Sequence, residues 1–182
     1  MIVVGILATS ATEASTQLVT EIARRAAATG ATGGPRVEVL GVVPGDAAWD
    51  RVTLGLAAAG VGHATVVRSS RGAMEPADLD LALHYLPDIR AIVLVHPPAS
   101  LVSTALAAAS WSGAPLVLIG PPEASLPEAD PAPIILEPPS DDPDGTFAGF
   151  VAALAVRLEA GDDPAKAWKA TIGSLAVDRV SP

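Results

Sequence analysis

Short, wholly apolar segments alternate with helical patterns along this chain, and that alternation constrains its fold more than any other feature. Residues 2–8 and 91–95 are continuous apolar runs bounded by polar turns. Such runs are typical of strands buried on both faces of a parallel sheet. Because helical segments follow these runs, we predict a three-layer α/β/α fold with a mostly parallel central sheet.

The same patterns give approximate bounds for each element. Strands are expected at residues 2–8, 36–43, 63–68, 91–95, 115–119 and 134–136, and helices at 14–29, 47–59, 76–85, 100–112, 145–160 and 164–177. Residues 120–133, rich in proline and acidic side chains, are predicted to form a surface loop. No internal repeat or domain boundary is visible, so residues 1–182 are predicted to form one domain.

Composition excludes several classes of function. The chain has 11 Lys and Arg against 20 Asp and Glu, a net charge of −9, so a polyanion such as DNA or RNA would be repelled. It has no cysteine, which excludes disulfides and thiolate metal sites.

The apolar start is short and predicts a strand rather than a signal peptide. No apolar run reaches the roughly 18–20 residues that span a bilayer. We expect a cytoplasmic protein with no nucleic-acid or membrane partner.

Two segments carry a family resemblance. Residues 141–150, Asp-Asp-Pro-Asp-Gly-Thr-Phe-Ala-Gly-Phe, precede and begin an apolar helix. Residues 39–50 end a strand, turn at Gly45-Asp46 and start a helix that carries Trp49. Together and in this order, the segments resemble parts of ribokinase-like (PfkB) sugar kinases. That family has Gly-Ala-Gly-Asp-x-Phe at the later segment, where the glycines expose N–H groups to phosphate and the Asp deprotonates the sugar hydroxyl.

The resemblance also implies what this chain has lost. Aligned on Phe147, it places Asp142, Pro143, Asp144 and Gly145 on the four positions before the variable residue. A glycine therefore stands at the catalytic position, and carboxylates occupy the anion-binding turn. The family's lid strands, sugar-binding Gly-Gly motif and nucleotide loops are missing. The resemblance implies a ribokinase-like core without a lid, with no catalytic residue and no cofactor.

Candidate ligand-binding residues are those expected at the carboxyl edge of the sheet, where open α/β sheets bind ligands. For His96 the structural alternative is a histidine before a Pro-Pro turn, and for Glu137 it is a solvated loop carboxylate. For Asp142 and Asp144 it is an acidic cap of the following helix. The calcium-like Asp-x-Asp-Gly pattern lacks the glutamate of an EF-hand, so we predict no metal site. Ser10 and Thr12 are expected to cap the first helix or to donate to a ligand. The candidates are His96, Glu137, Asp142, Asp144, Gly145 and Thr146.

Three functions are compatible with these features. The first is a non-catalytic ribokinase-like protein that binds a small ligand or a partner protein, as a homodimer that covers surface left bare by the missing lid. The alternative is a minimal kinase that phosphorylates a sugar or nucleoside with ATP and uses Asp144 as its base. A Rossmann-like enzyme has less support, because no Gly-x-Gly-x-x-Gly follows the first strand. Trp111, beside Gly113, is expected to be partly exposed and to mark an interface.

Overall fold

A computed structural model describes residues 1–8, 13–29, 34–69, 73–120 and 131–178. The strands are β1 (Ile2–Ala8), β2 (Val37–Val43), β3 (Gly62–Arg68), β4 (Ala91–Val95), β5 (Leu116–Ile119) and β6 (Ile134–Leu136). The helices are α1 (Glu13–Ala28), α2 (Ala47–Ala58), α3 (Pro76–Tyr85), α4 (Ala99–Ser112), α5 (Thr146–Glu159) and α6 (Pro164–Asp178). Every predicted element forms, with ends within one residue of the predicted bounds. Ser10, Thr12 and most of the predicted 120–133 loop lie outside the described residues.

The strands form one parallel sheet in the order β3-β2-β1-β4-β5-β6. β1 pairs in parallel with β2 on one side and with β4 on the other. From β1, the strands β2 and β3 extend the sheet on one side, and the strands β4, β5 and β6 extend it on the other. This is the doubly wound order, in which helices on opposite faces diverge at the reversal and leave a crevice at the carboxyl ends of the central strands.

Helices cover both faces of the sheet, which confirms the three-layer α/β/α fold. On one face α1, α2, α5 and α6 bury aliphatic side chains such as Ile22 and Leu154. On the other face α3 and α4 bury Leu79 and Leu101. Each such side chain contributes about 1.5–3 kcal/mol when fully buried. Within the described ranges, no helix combines the length and the apolar character needed to cross a bilayer.

A buried carboxylate lies at the register shift between β2 and the edge strand β3. Glu38 is 2% exposed, and its Oε1 accepts a hydrogen bond from the Thr65 backbone at 3.4 Å. The pairing shifts between Glu38 and Leu40, so the side chain replaces a backbone acceptor at the irregularity. Gly62 leaves room for this carboxylate, because a Cβ atom there would overlap Oε2 of Glu38.

Candidate ligand-binding site

A crevice lies at the carboxyl edge of the sheet, where strand order reverses between β1 and β4. It has a volume of about 910 Å³ and lies between α1, from Ala14 to Arg25, the residue after β4 and the segment 138–148 that leads into α5. Open α/β sheets bind ligands at such reversal points. Pockets for small molecules span roughly 300–1,000 Å³. Position and size therefore both fit a small-molecule site.

His96 reaches this crevice from a strained backbone. It directly follows β4, and its φ of 46° lies in the left-handed region. In the described ranges only one other non-glycine residue, Asp88, has a positive φ. A non-glycine residue held in that region costs about 1–3 kcal/mol, and such residues cluster at functional sites. The fold thus holds this imidazole at the crevice despite a local loss of stability.

Two neighbours fix the imidazole ring itself. The hydroxyl of Ser15, in the first turn of α1, lies 2.9 Å from Nδ1 of His96, and Ser15 is only 5% exposed. Gly120 lies against the ring, since a Cβ atom at that position would be 2.8 Å from Cδ2 of His96. His96 remains exposed, and none of the residues that the structure describes bonds to its Nε2. In the neutral ring Nε2 takes the hydrogen-bonding role opposite to that of Nδ1.

The start of α5 is capped by a carboxylate from the same chain. Oδ1 of Asp142 accepts a hydrogen bond from the backbone of Phe147 at 3.0 Å, and Oδ2 accepts one from Ala148 at 3.1 Å. The cap interpretation of Asp142 is confirmed. These are the N–H groups that a helix start offers to a phosphate. An anion could reach them only after displacing Asp142.

Gly145 occupies a position that has no room for a side chain. Its φ is 64°, and a Cβ atom would lie 2.5 Å from Nη2 of Arg25. Arg25 is held by Glu21, whose Oε1 lies 2.7 Å from Nε, and by the carbonyl of Asp144 at 3.3 Å from Nη2. The arginine thus joins α1 to the turn before α5. A carboxylate at residue 145 would require both the backbone and Arg25 to move.

The charges that line the crevice largely pair with one another. Glu21 bonds both neighbouring arginines, each at 2.7 Å. Four carboxylates face two guanidinium groups, so the lining carries an excess of negative charge that disfavours an anionic ligand. Across the described residues, no group of three His, Asp or Glu side chains could hold a metal ion. The charged residues of the lining are Glu21, Arg24, Arg25, Asp141, Asp142 and Asp144.

The predicted site residues fall into two adjacent groups. His96, Asp142, Asp144 and Gly145 line the crevice. A neighbouring depression of about 520 Å³ contains the other two candidates, Glu137 and Thr146, and shares the aspartates with the crevice. The structure therefore brings four of the six candidates into one site and leaves two beside it.

Sequence patterns assign no role in the site to Ser15 or Arg25. The contact of Ser15 with His96 follows only once β1 is known to pair with β4, because that pairing brings the first turn of α1 and the end of β4 to the same sheet edge. The contact of Arg25 with Asp144 depends in addition on how far α5 is shifted along α1. Ser15 positions the His96 ring, and Arg25 positions the turn before α5.

No protein-family model and no curated protein matches the sequence. The crystal structure of Sa239 is similar, with a TM-score of 0.59 at 13% identity, over 85% of this chain and 80% of that chain. At this identity the likeness shows the fold alone.

Two fructokinase structures from Xylella fastidiosa are more distant. The one with bound ATP has a TM-score of 0.45 at 14% identity, over 76% of this chain and 47% of the fructokinase. The other has a TM-score of 0.44 at 15% identity. This chain spans about half the length of these enzymes. TM-scores below 0.5 support no argument, so the ribokinase-like relationship stays an interpretation of the sequence motifs.

Proposed function

We propose that this chain is a non-catalytic small-ligand-binding protein and that its ligand occupies the crevice against Nε2 of His96. The observation that carries the proposal is that three separate features hold this imidazole at the reversal point of the sheet. They are the left-handed backbone of His96, the Ser15 hydroxyl beside Nδ1, and the close approach of Gly120 to the ring. A histidine with a purely structural role at a turn needs none of these constraints.

The ligand is proposed to be uncharged or cationic. The helix start that would attract an anion is occupied by Asp142, and the two arginines of the lining are paired with Glu21. A carboxylate about 4 Å from a phosphate charge repels it by roughly 1–4 kcal/mol in water-like to surface-like surroundings. Compounds with hydroxyl, carbonyl or amine groups avoid that repulsion and suit a histidine nitrogen.

The alternative, a minimal kinase for a sugar or nucleoside, has less support. Loss of a positioned general base costs roughly 10²–10⁴ in rate. Gly145, which has no side chain, stands at the position of that base in the family resemblance. We propose that the chain descends from ribokinase-like proteins and that residues 1–182 form one shortened domain of that kind. We also propose a cytoplasmic location. The residue at the second motif agrees with this descent. Asp46 supports it by accepting from the Trp49 backbone at 3.2 Å, as the second motif implies.

We also propose that the chain forms a homodimer through the edge of β3. Among the described strands β3 pairs only with β2, and it exposes Val67. Asp50 and Arg68 form an ion pair at the same edge, so two copies would meet there without a large excess of like charge. Light scattering at working concentration checks this, since a monomeric mass would contradict it.

A thermal-shift screen tests the ligand proposal. The panel contains neutral sugars, nucleosides, amino acids and small amines, with MgATP and MgADP alongside. We expect at least one uncharged or cationic compound to stabilise the wild type and to lose that effect in His96→Ala. His63→Ala and His84→Ala are matched controls, because those histidines lie outside the crevice, and both should respond like the wild type. Equal stabilisation of His96→Ala would place the ligand elsewhere, and ADP release with a sugar would favour the kinase.

A further inference from the structure

An exposed aromatic patch lies on the outer face of α3 and α4, away from the crevice. Leu81, His84 and Tyr85 are spaced i, i+3 and i+4, so they share one face of α3. The His84 ring stacks on Trp111 of α4, with centroids 4.8 Å apart and planes 28° from parallel. Leu81 is 58%, Tyr85 77% and Trp111 49% exposed. We call Leu81, His84, Tyr85 and Trp111 the aromatic patch.

The composition of the patch is that of an interface centre. Tyr and Trp are enriched at the centres of protein interfaces, and contiguous exposed apolar side chains mark interaction sites. The exposure predicted for Trp111 is confirmed. Trp111 also walls a groove of about 630 Å³ at the amino edge of the sheet, between the end of α4 and the start of α6. The patch and the groove are therefore one continuous surface.

Acidic side chains line the α3 side of this surface. Helix α3 and its N-cap carry Glu75, Asp78 and Asp80 and no lysine or arginine. The groove is closer to neutral, because Glu159 pairs with the amino terminus at 3.1 Å, Asp162 pairs with Lys166 at 2.7 Å and Asp163 accepts hydrogen bonds from the first turn of α6. The groove acids are Asp88, Glu159, Asp162 and Asp163, and the groove arginine is Arg90.

This charge distribution identifies the kind of partner. A second copy of the chain would bring the same carboxylates against this rim, within a molecule whose net charge is already −9. Like charges facing each other across an interface oppose association. A basic partner instead complements the rim, and a lysine or arginine over the face of Trp111 gains a cation–π contact.

We propose that the aromatic patch docks a partner protein through an amphipathic segment with aliphatic and basic side chains. The aliphatic side chains cover Leu81 and Tyr85, and a basic side chain lies over Trp111 and faces the acidic rim of α3. The inference is independent of the crevice ligand, because the two surfaces lie at opposite edges of the sheet.

The test uses the full chain and a fluorescent helical peptide with leucine on one face and lysine on the other. A peptide with glutamate in place of lysine is the charge control. We expect saturable, salt-sensitive binding of the lysine peptide, weakened about tenfold or more in Tyr85→Ser/Trp111→Ser. Leu54→Ser is the matched control, because Leu54 is 69% exposed on α2 across the sheet, and it should bind like the wild type.

Several outcomes overturn the proposal. These are failure of the lysine peptide to saturate, equal binding of the glutamate peptide, and equal loss in Leu54→Ser. If sedimentation shows a wild-type dimer that the double variant abolishes, the occupant is a second copy and the basic partner is wrong. Circular dichroism checks the fold of each variant. If the double variant does not fold, Tyr85→Ser alone carries the test, because its side chain is the more exposed of the two.

Discussion

The Ser15 hydroxyl lies 2.9 Å from Nδ1 of His96 and joins the first turn of α1 to the residue that follows β4. The two residues are 81 positions apart in the chain, yet the strand order brings them to one edge. The contact restrains the orientation of an imidazole that lines the crevice.

Replacement of Ser15 by alanine should loosen the imidazole without unfolding the protein. Loss of a side-chain hydrogen bond lowers stability by about 0.5–1.5 kcal/mol, and ligand affinity should fall because the ring is no longer fixed. Urea denaturation and the line widths of the His96 ring signals measure the two effects. Ser112→Ala is the control, because that hydroxyl donates to the Ala108 carbonyl and accepts from the Ala114 backbone, outside the crevice. An unchanged His96 signal in Ser15→Ala would contradict the positioning role.

Strain at residue 96 can be measured by comparing two substitutions. Both His96→Gly and His96→Ala remove the imidazole and its bond to Ser15, but only glycine adopts a positive φ without penalty. Glycine should therefore give the more stable protein by about 1 kcal/mol, opposite to its usual rank. The measurement is the free energy of unfolding in urea. An alanine variant as stable as the glycine variant would show that the backbone relaxes and stores no strain.

Removal of the Asp142 carboxylate should open the start of α5 to anions. Asp142→Ala loses both bonds to the helix N–H groups and should cost about 0.5–2 kcal/mol, as the loss of a helix cap does. Inorganic phosphate should then raise the melting temperature of the variant and leave that of the wild type unchanged. Asp141→Ala, at an exposed neighbouring residue, is the control and should behave as the wild type. Equal stabilisation of the wild type by phosphate would mean that the helix start is already accessible.

Restoring the residue that the family resemblance expects should not restore a kinase. Gly145→Asp forces an aspartate to a φ of 64° and pushes its Cβ against Arg25. We expect a loss of at least about 1–2 kcal/mol and no ADP release with a sugar panel. Gly55→Asp is the control for a new carboxylate, because nothing lies within 4 Å of that position. A stable Gly145→Asp protein with phosphotransfer activity would contradict the account of this turn.

The bounds of the elements were predictable because each is set by local chemistry. Continuous apolar runs fix the strands, and residues such as Asp46 and Pro164 mark helix starts. The position of His96 was also predictable, because parallel strands end at the same edge. Asp142 was identified as an acidic cap from its place before an apolar helix.

What could not be predicted depends on long-range geometry. No local pattern gives the strand order, so the contact between Ser15 and His96 was not visible. The side chain of Glu38 substitutes for a backbone acceptor only because β2 and β3 shift their register. Glu137 and Thr146 were placed with His96, but they line the neighbouring depression, since the turn before α5 separates the two surfaces.

The most direct measurement is a pair of NMR spectra, of the ¹³C-labelled histidine rings and of the ¹⁵N-labelled backbone amides, recorded with each compound of the ligand panel and with MgATP. The chain has three histidines, and only His96 lies in the crevice. The account predicts that an uncharged or cationic compound shifts the ring signals of His96 alone, while MgATP leaves the Phe147 and Ala148 amides unchanged. Saturable shifts of those two amides by MgATP, accompanied by release of ADP, would contradict it.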